Sequence, residues 1–228
     1  MPENGLTLHF VRHGETYFNL YDRVQGWGNS PLTDLGVEDA IRSGRGLKDL
    51  KFDAVYSSDL LRTIATAELL LAENEQTTNG IEIIALPEFR EAFFGSFEGG
   101  YNYDAFMAVA DHLGYETKEE LLEKTDFNER MDIFHEIDPH QHAENATILH
   151  ERLNKGLEQV IEAHAGKDEH VLVVAHGGTI QAVFENMLPD VKEWPALANG
   201  SVSVAHYKDG QYELKRYGDI SHFTDASE

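Results

Sequence analysis

The chain has no cysteine, which excludes disulfides, a thiol nucleophile and thiolate metal ligation. It is short of cations: 18 Lys and Arg stand against 41 Asp and Glu, for a formal net charge of −23 over 228 residues. So acidic a chain is a poor match for nucleic acid or for an anionic membrane surface. No stretch approaches the ~20 apolar residues of a membrane span. The first residues, Met1-Pro2-Glu3-Asn4, carry neither a basic start nor the apolar core of a signal peptide. Internal repeats and low-complexity linkers are also missing. The expectation is a cytoplasmic enzyme built as one domain over residues 1–228, since ~200–250 residues is an ordinary length for one domain. Nothing in the sequence marks an oligomer interface.

What is present is organised around Leu6 to Asn19. Leu6, Leu8, Phe10 and Val11 read as a short buried strand, and it ends on Arg12-His13-Gly14-Glu15-Thr16. Ligands of open α/β sheets bind beyond the carboxyl ends of strands. A fixed cation, an imidazole and a glycine there make an anion-handling tip, although a lone Arg-His pair is as readily a surface feature. A second strand ends the same way. Val171-Leu172-Val173-Val174-Ala175 is apolar throughout, as in a strand covered on both faces, and His176-Gly177-Gly178-Thr179 follows. Ile180, Val183, Phe184, Met187 and Leu188 then recur at helical spacing. His176 therefore stands at a helix N-terminus, where free N–H groups favour an anion. Ala54-Val55-Tyr56 is a third strand. After it, Ser57-Ser58-Asp59 offers N-cap chemistry, and Leu60, Leu61, Ile64, Ala65 and Ala67 form the inner face of a helix carrying Arg62 and Thr63 in its first turns.

The ordered set Arg12-His13-Gly14-Glu15-Thr16 with Asn19, Gln25-Gly26, Pro31-Leu32-Thr33 with Gly36, Ser57-Ser58, Leu60, Arg62-Thr63, Glu91, Phe94-Gly95-Ser96-Phe97-Glu98-Gly99 and His176-Gly177-Gly178 resembles the histidine phosphatase superfamily, which includes the cofactor-dependent phosphoglycerate mutases. The resemblance runs from residue 6 to about residue 202. It implies a three-layer α/β/α fold with a mostly parallel central sheet. Around that core, Thr33 is expected to cap a helix, Ile81 to Leu86 to form a strand, and Ser201–Tyr207 with Gln211–Tyr217 to form an antiparallel edge hairpin through Asp209-Gly210. The residues from about Asp219 read as a loose tail. Asn102 to Glu144 reads as a helical cap insertion, with a capping box at Thr117 and Glu120 and an N-cap at Asp126. His135, His140 and His142 within it tempt as a metal cluster but fit solvated loop positions better, and no metal or cofactor is expected. Arg152, on the long helix that follows, reads as structural.

By that resemblance, His13 is the covalent nucleophile, and Arg12 and Arg62 grip phosphate oxygens as planar forks. His176 and the Gly177 amide add hydrogen bonds, while Asn19 and Thr63 complete the phosphate pocket. Glu91 is the proton donor; spacing alone leaves Glu88 and Glu98 nearly as good. The expected reaction is hydrolysis of a small phosphate monoester through phosphohistidine. A 2,3-bisphosphoglycerate-dependent mutase is the alternative, and a non-catalytic phospholigand module is a third reading. The mutases carry Glu-Arg-His-Tyr-Gly at the acid loop, where this chain has Glu91-Ala92-Phe93-Phe94-Gly95. The insertion holds only Lys118, Lys124 and Arg130 as cations. Together these favour a phosphatase with an apolar, permissive mouth.

Overall fold

The computed structural model describes residues 5–191 and 194–225; Met1–Asn4, on which the reading of the amino terminus rests, lie outside the described residues. The order of elements is β1 (Leu6–Arg12), α1 (Tyr17–Leu20), α2 (Asp34–Gly46), β2 (Ala54–Ser57), α3 (Leu61–Ala72), β3 (Ile83–Ala85), α4 (Asn102–Leu113), α5 (Lys118–Lys124), α6 (Phe127–Ile137), α7 (Ala146–His164), β4 (Glu169–Ala175), α8 (Gly177–Met187), β5 (Val202–Lys208) and β6 (Gln211–Asp219). The strands form one sheet in the order β3-β2-β4-β1-β5-β6. The first four are parallel, while β5 runs antiparallel to β1 and to β6. The hairpin turn at Asp209-Gly210 has φ of 51° and 82°, a conformation suited to a tight, twisted hairpin.

The two faces of the sheet read directly from the strand alternation. Leu6, Leu8, Phe10, Val171 and Val173 face one core with Leu149, Leu153, Val183 and Phe184 of α7 and α8. Val11, Leu172 and Val174 face the other with Ala67 and Leu70 of α3. β1 and β4 pair side by side, with Arg12 opposite Ala175. From β1 the chain crosses toward β2, whereas from β4 it crosses back past β1 to β5. Connections that diverge from adjacent parallel strands open a crevice at their carboxyl ends, and His13 and His176 are the next residue on each.

Several local expectations change. The N-cap of α3 is Leu60, without a side-chain cap bond. Asp59 instead pairs with Arg90, and Ser58 Oγ accepts the Leu60 N–H at 3.2 Å. Leu61 is 66% exposed rather than inward. The strand expected over 81–86 is confined to Ile83–Ala85. Thr117 caps α5 through the Glu120 N–H, but the Glu120 carboxylate accepts from Glu116 N–H, so the reciprocal half of the box is displaced by one residue. Asp126 caps α6 as expected. The segment after Asp219 is not loose through residue 225. His222 Nε2 meets Ser43 Oγ at 2.8 Å, Phe223 lies beneath the Arg42 guanidinium, and Asp225 pairs with Arg42, which straps the segment to α2.

Candidate active site

The crevice holds a chamber of about 340 Å³. Its floor comes from the β1 and β4 tips and the start of α8, and its walls from α4 and α6 of the insertion. His13, His176 and Arg62 are buried and are not among the residues that line this chamber; Arg62 instead borders a larger groove, about 750 Å³ on the outer side of α3.

His13 is buried beside His176, with ring centroids 5.2 Å apart. Its Nδ1 lies 2.8 Å from the Gly14 carbonyl oxygen, which can only accept. Nδ1 therefore carries the proton, and Nε2 presents a lone pair. Burial first, then the Arg62 and Arg12 charges, hold the imidazole well below its usual range, so it is neutral at pH 7. Gly14 is needed for this turn: a Cβ there would lie 2.3 Å from the Gly36 carbonyl of α2. His176 is the complementary tautomer. Its Nδ1 accepts from Arg62 Nε at 3.2 Å, and its Nε2 faces Ser58 Oγ at 2.9 Å. Burial, then Arg62, also keeps it neutral.

Arg62 is fully buried, with Nη1 and Nη2 donating to the Gly28 and Gly26 carbonyls at 3.0 and 2.7 Å. Burial pushes it down to about 10, opposed by Glu91 and Glu98, so it stays charged at neutral pH. Arg12 donates from Nη1 to the Leu197 carbonyl and packs over Gly177, while its buried Nε has no partner. Gln25 is similar: Oε1 accepts from Thr16, and Nε2 is buried without a partner. Both residues line the chamber. Unpartnered buried donors are uncommon and call for an acceptor. Sequence reasoning placed Gln25 in the motif but gave it no role. Its spacing from His13 was available, yet which end of the amide Thr16 would occupy was not.

Asn19 also lines the chamber; its Oδ1 accepts from Thr16, leaving the NH2 end. Thr63 does not face the chamber. Its hydroxyl meets the Ser58 and Leu60 carbonyls and closes the first turn of α3. The Glu91 carboxylate sits on the N-terminus of α8, with Oε2 accepting from Gly178 N–H at 2.9 Å and Oε1 from Thr179 N–H at 2.9 Å and Ala92 N–H at 3.0 Å. A carboxylate is stabilised there by the helix dipole. Of the first three N–H groups of α8, that of Gly177 alone is left for the chamber. The other two loop carboxylates are engaged elsewhere. Glu88 pairs with Lys155 on the outside, and Glu98 accepts the N–H groups of Gly26, Trp27, Gly28 and Phe94.

The walls correct one expectation. Arg42, Arg45, Arg90, Arg152 and Arg216 each pair with a carboxylate. Among the described residues, Arg12, Arg23, Arg62 and Arg130 do not, and three of these four line the chamber. Arg23 donates to the Gly99 carbonyl and lies over Tyr101. Arg130 donates to the Thr125 carbonyl, and burial lowers its guanidinium. The mouth is thus cationic as well as aromatic, with Phe94, Phe106, Phe127 and Phe134. Lys118 and Lys124 instead lie over Phe106 and Tyr115. His135 Nδ1 meets the Ala143 carbonyl, and His140 stacks on His142. Among the described residues no group of three or more potential metal ligands converges, and no helix is long and apolar enough to cross a membrane.

A sequence model of the histidine phosphatase superfamily (branch 1) matches residues 8–220. The chain belongs to that superfamily. A metal-independent phosphoserine phosphatase from Arabidopsis thaliana is 33% identical over 94% of this chain and 82% of its own length. Phosphoglycerate mutase-like protein 4 from the same plant is 28% identical, covering 95% and 86%. The crystal structure of a phosphoglycerate mutase from Bacillus anthracis superposes with a TM-score of 0.90 at 36% identity, covering 97% of this chain and 96% of that one. Histidine phosphatases of both kinds, hydrolases and mutases, therefore stand among its relatives.

Proposed function

We propose that this histidine phosphatase hydrolyses small phosphate monoesters through a phosphohistidine on His13 and needs no metal for the step. The observation that carries the reading is the neutral, buried His13 with its Nε2 lone pair, under the charges of Arg12 and Arg62, together with two donors of the chamber lining that lack acceptors, Arg12 Nε and Gln25 Nε2. In the first step Glu91 takes up the proton of the monoester monoanion as it enters, Nε2 bonds to phosphorus, the bond to the leaving oxygen breaks, and Glu91 gives that oxygen the proton. In the second, Glu91 takes a proton from water as its oxygen bonds to phosphorus, and the phosphorus–Nε2 bond breaks. Arg12, Arg62 and the Gly177 N–H stabilise the equatorial oxygens, and the arginine charges do the work a metal would otherwise do. His176 contributes by orienting Arg62, and reaches phosphate itself only by exchanging its bond to Ser58.

Arg23 and Arg130 support a substrate whose leaving group carries a second anion, such as a carboxylate. The phosphoserine phosphatase among the relatives acts on an ester of that kind. The same arginines favour a second reading, phosphoglycerate mutase, which must hold a carboxylate while phosphate moves. The acid loop Ala92-Phe93-Phe94 and the phosphatase relative weigh for hydrolysis.

The test uses wild type and His13→Ala, with chelator, assayed on an aryl phosphate, on phosphoserine, and for interconversion of 3- and 2-phosphoglycerate primed with the bisphosphate. The expected result is phosphate release reduced at least ~10⁴-fold in the variant, with little interconversion by wild type. Fast interconversion with little hydrolysis overturns the choice in favour of the mutase, and neither activity favours a binding module.

A further inference from the structure

The loop from Gln25 to Asn29 is tied on three sides. Glu98 takes three consecutive N–H groups, of Gly26, Trp27 and Gly28, at 3.3, 3.1 and 3.0 Å. Arg62 takes the carbonyls of Gly26 and Gly28. The third tie is a side chain: Trp27 Nε1 donates to the backbone carbonyl of Glu91 at 2.9 Å. The indole is packed against the Phe93 ring at 5.0 Å between centroids, and the Arg90 guanidinium lies 4.5 Å from its centre. The Glu91 carbonyl has one other donor, Arg152 Nη2 at 3.2 Å. Arg152 also holds the Glu88 and Arg90 carbonyls and is locked by Glu144. The carboxylate end of Glu91 is fixed by α8. Its backbone end is fixed by Trp27 and Arg152.

We infer that Trp27 is a positioning residue for the proton donor: its indole N–H sets the backbone of Glu91 and couples it to the loop that Arg62 grips. The inference rests on Glu91 acting as the acid. It gives a reason for an indole at this position, since a phenyl ring fills much of the same space against Phe93 but donates nothing. One loop thereby registers the phosphate-gripping arginine and the proton donor against each other. A displacement of the donor by a fraction of an ångström weakens proton transfer far more than phosphate binding.

The experiment measures kcat/KM for wild type, Trp27→Phe, Glu91→Gln and the double variant on a series of phosphate esters from nitrophenyl to alkyl leaving groups. Loss of an acid costs most where the leaving group is most basic. Trp27→Phe is expected to lose about tenfold on alkyl esters and about twofold on nitrophenyl phosphate, with the double variant no worse than Glu91→Gln. A second variant replaces the indole of Trp27 by benzothiophene, which keeps the shape without the donor; it guards against a packing defect in Trp27→Phe and is expected to show the same slope. An equal loss across all leaving groups in both Trp27 variants, or a Trp27 defect that multiplies with that of Glu91→Gln, overturns the inference while Glu91 remains the acid. A flat profile for Glu91→Gln removes Glu91 from the acid role and the inference with it.

Discussion

The floor and the walls of the chamber handle charge differently. On the floor, each donor is fixed by backbone: Arg62 by two loop carbonyls, Arg12 by Leu197, His13 by Gly14. These contacts orient the groups without neutralising them, because carbonyls are not counter-ions. Most arginines elsewhere pair with carboxylates, as Arg90 does with Asp59 and Arg45 with Glu73. The walls keep Arg23 and Arg130 unpaired as well, each with one backbone anchor as Arg12 has, but half-buried where Arg62 and His13 are buried. A buried or half-buried cation without a counter-ion is costly unless a ligand supplies one. The buried floor groups are thus held in one geometry, whereas the half-buried wall arginines have room to follow a charge whose position varies.

Breaking the wall should separate the two. Arg130→Ala and Arg23→Ala are each expected to raise KM for phosphoserine by about 10- to 100-fold, the range for losing a charged hydrogen bond. On nitrophenyl phosphate, which has no second acidic group, the change should be about threefold or less. Steady-state kinetics on the two substrates decides it. Equal losses on both would mean that the wall arginines serve the transferred phosphoryl group and that floor and wall are one site.

This difference also marks what could be read in the sequence. The floor was legible because its parts are contiguous: Arg12-His13-Gly14 and His176-Gly177 end two apolar strands, and sheet topology places the ends of β1 and β4 together. Caps at Thr33 and Asp126 were local enough to follow the same logic. Arginine pairing was not legible, since partners such as Asp59 and Arg90 lie 31 residues apart and composition cannot say which cations remain unpaired. Which of Glu88, Glu91 and Glu98 reaches the chamber was equally tertiary. It turns on whether a carboxylate meets α8, Lys155 or the Gly26–Gly28 loop. The strap from His222 to Asp225 escaped for the same reason, its partners being Ser43 and Arg42 on α2.

A histidine away from the floor sharpens the comparison by asking whether burial alone keeps imidazoles neutral. His9, in the middle of β1, stacks on His170 and is held down to about 3 by burial, then by His170 and Arg216. The unfolded chain takes up a proton at this residue below about 6.5, whereas the folded chain does not until far lower pH, so acid favours unfolding through that window. Between pH 6.5 and 5 this one group should cost about 2 kcal/mol of stability. In His9→Phe, the loss of unfolding free energy from pH 7 to pH 5, measured by urea titration, should be smaller by about that amount. His13 and His176 should contribute the same slope from within the site. An unchanged pH slope in His9→Phe would place the acid sensitivity elsewhere and would weaken burial as the reason that the floor histidines are neutral.

The smallest effect concerns range. The chain carries a net charge of −23, which repels an approaching phosphate ester, while the wall and floor arginines attract it. The repelling charges are mostly exposed and act at distances comparable to the ~10 Å Debye length at 0.1 M salt. The arginines act at contact from partly desolvated positions, where salt screens far less. Salt should therefore weaken the repulsion more than the attraction, and kcat/KM for a dianionic aryl phosphate should rise about two- to threefold between ~10 and ~150 mM NaCl. In Arg23→Ala/Arg130→Ala the rise should be at least as large, because less of the attractive field remains to be screened. A steady fall from the lowest ionic strength in wild type, abolished in that double variant, would instead give the wall arginines reach into solvent, and the wall would steer the substrate before it holds it.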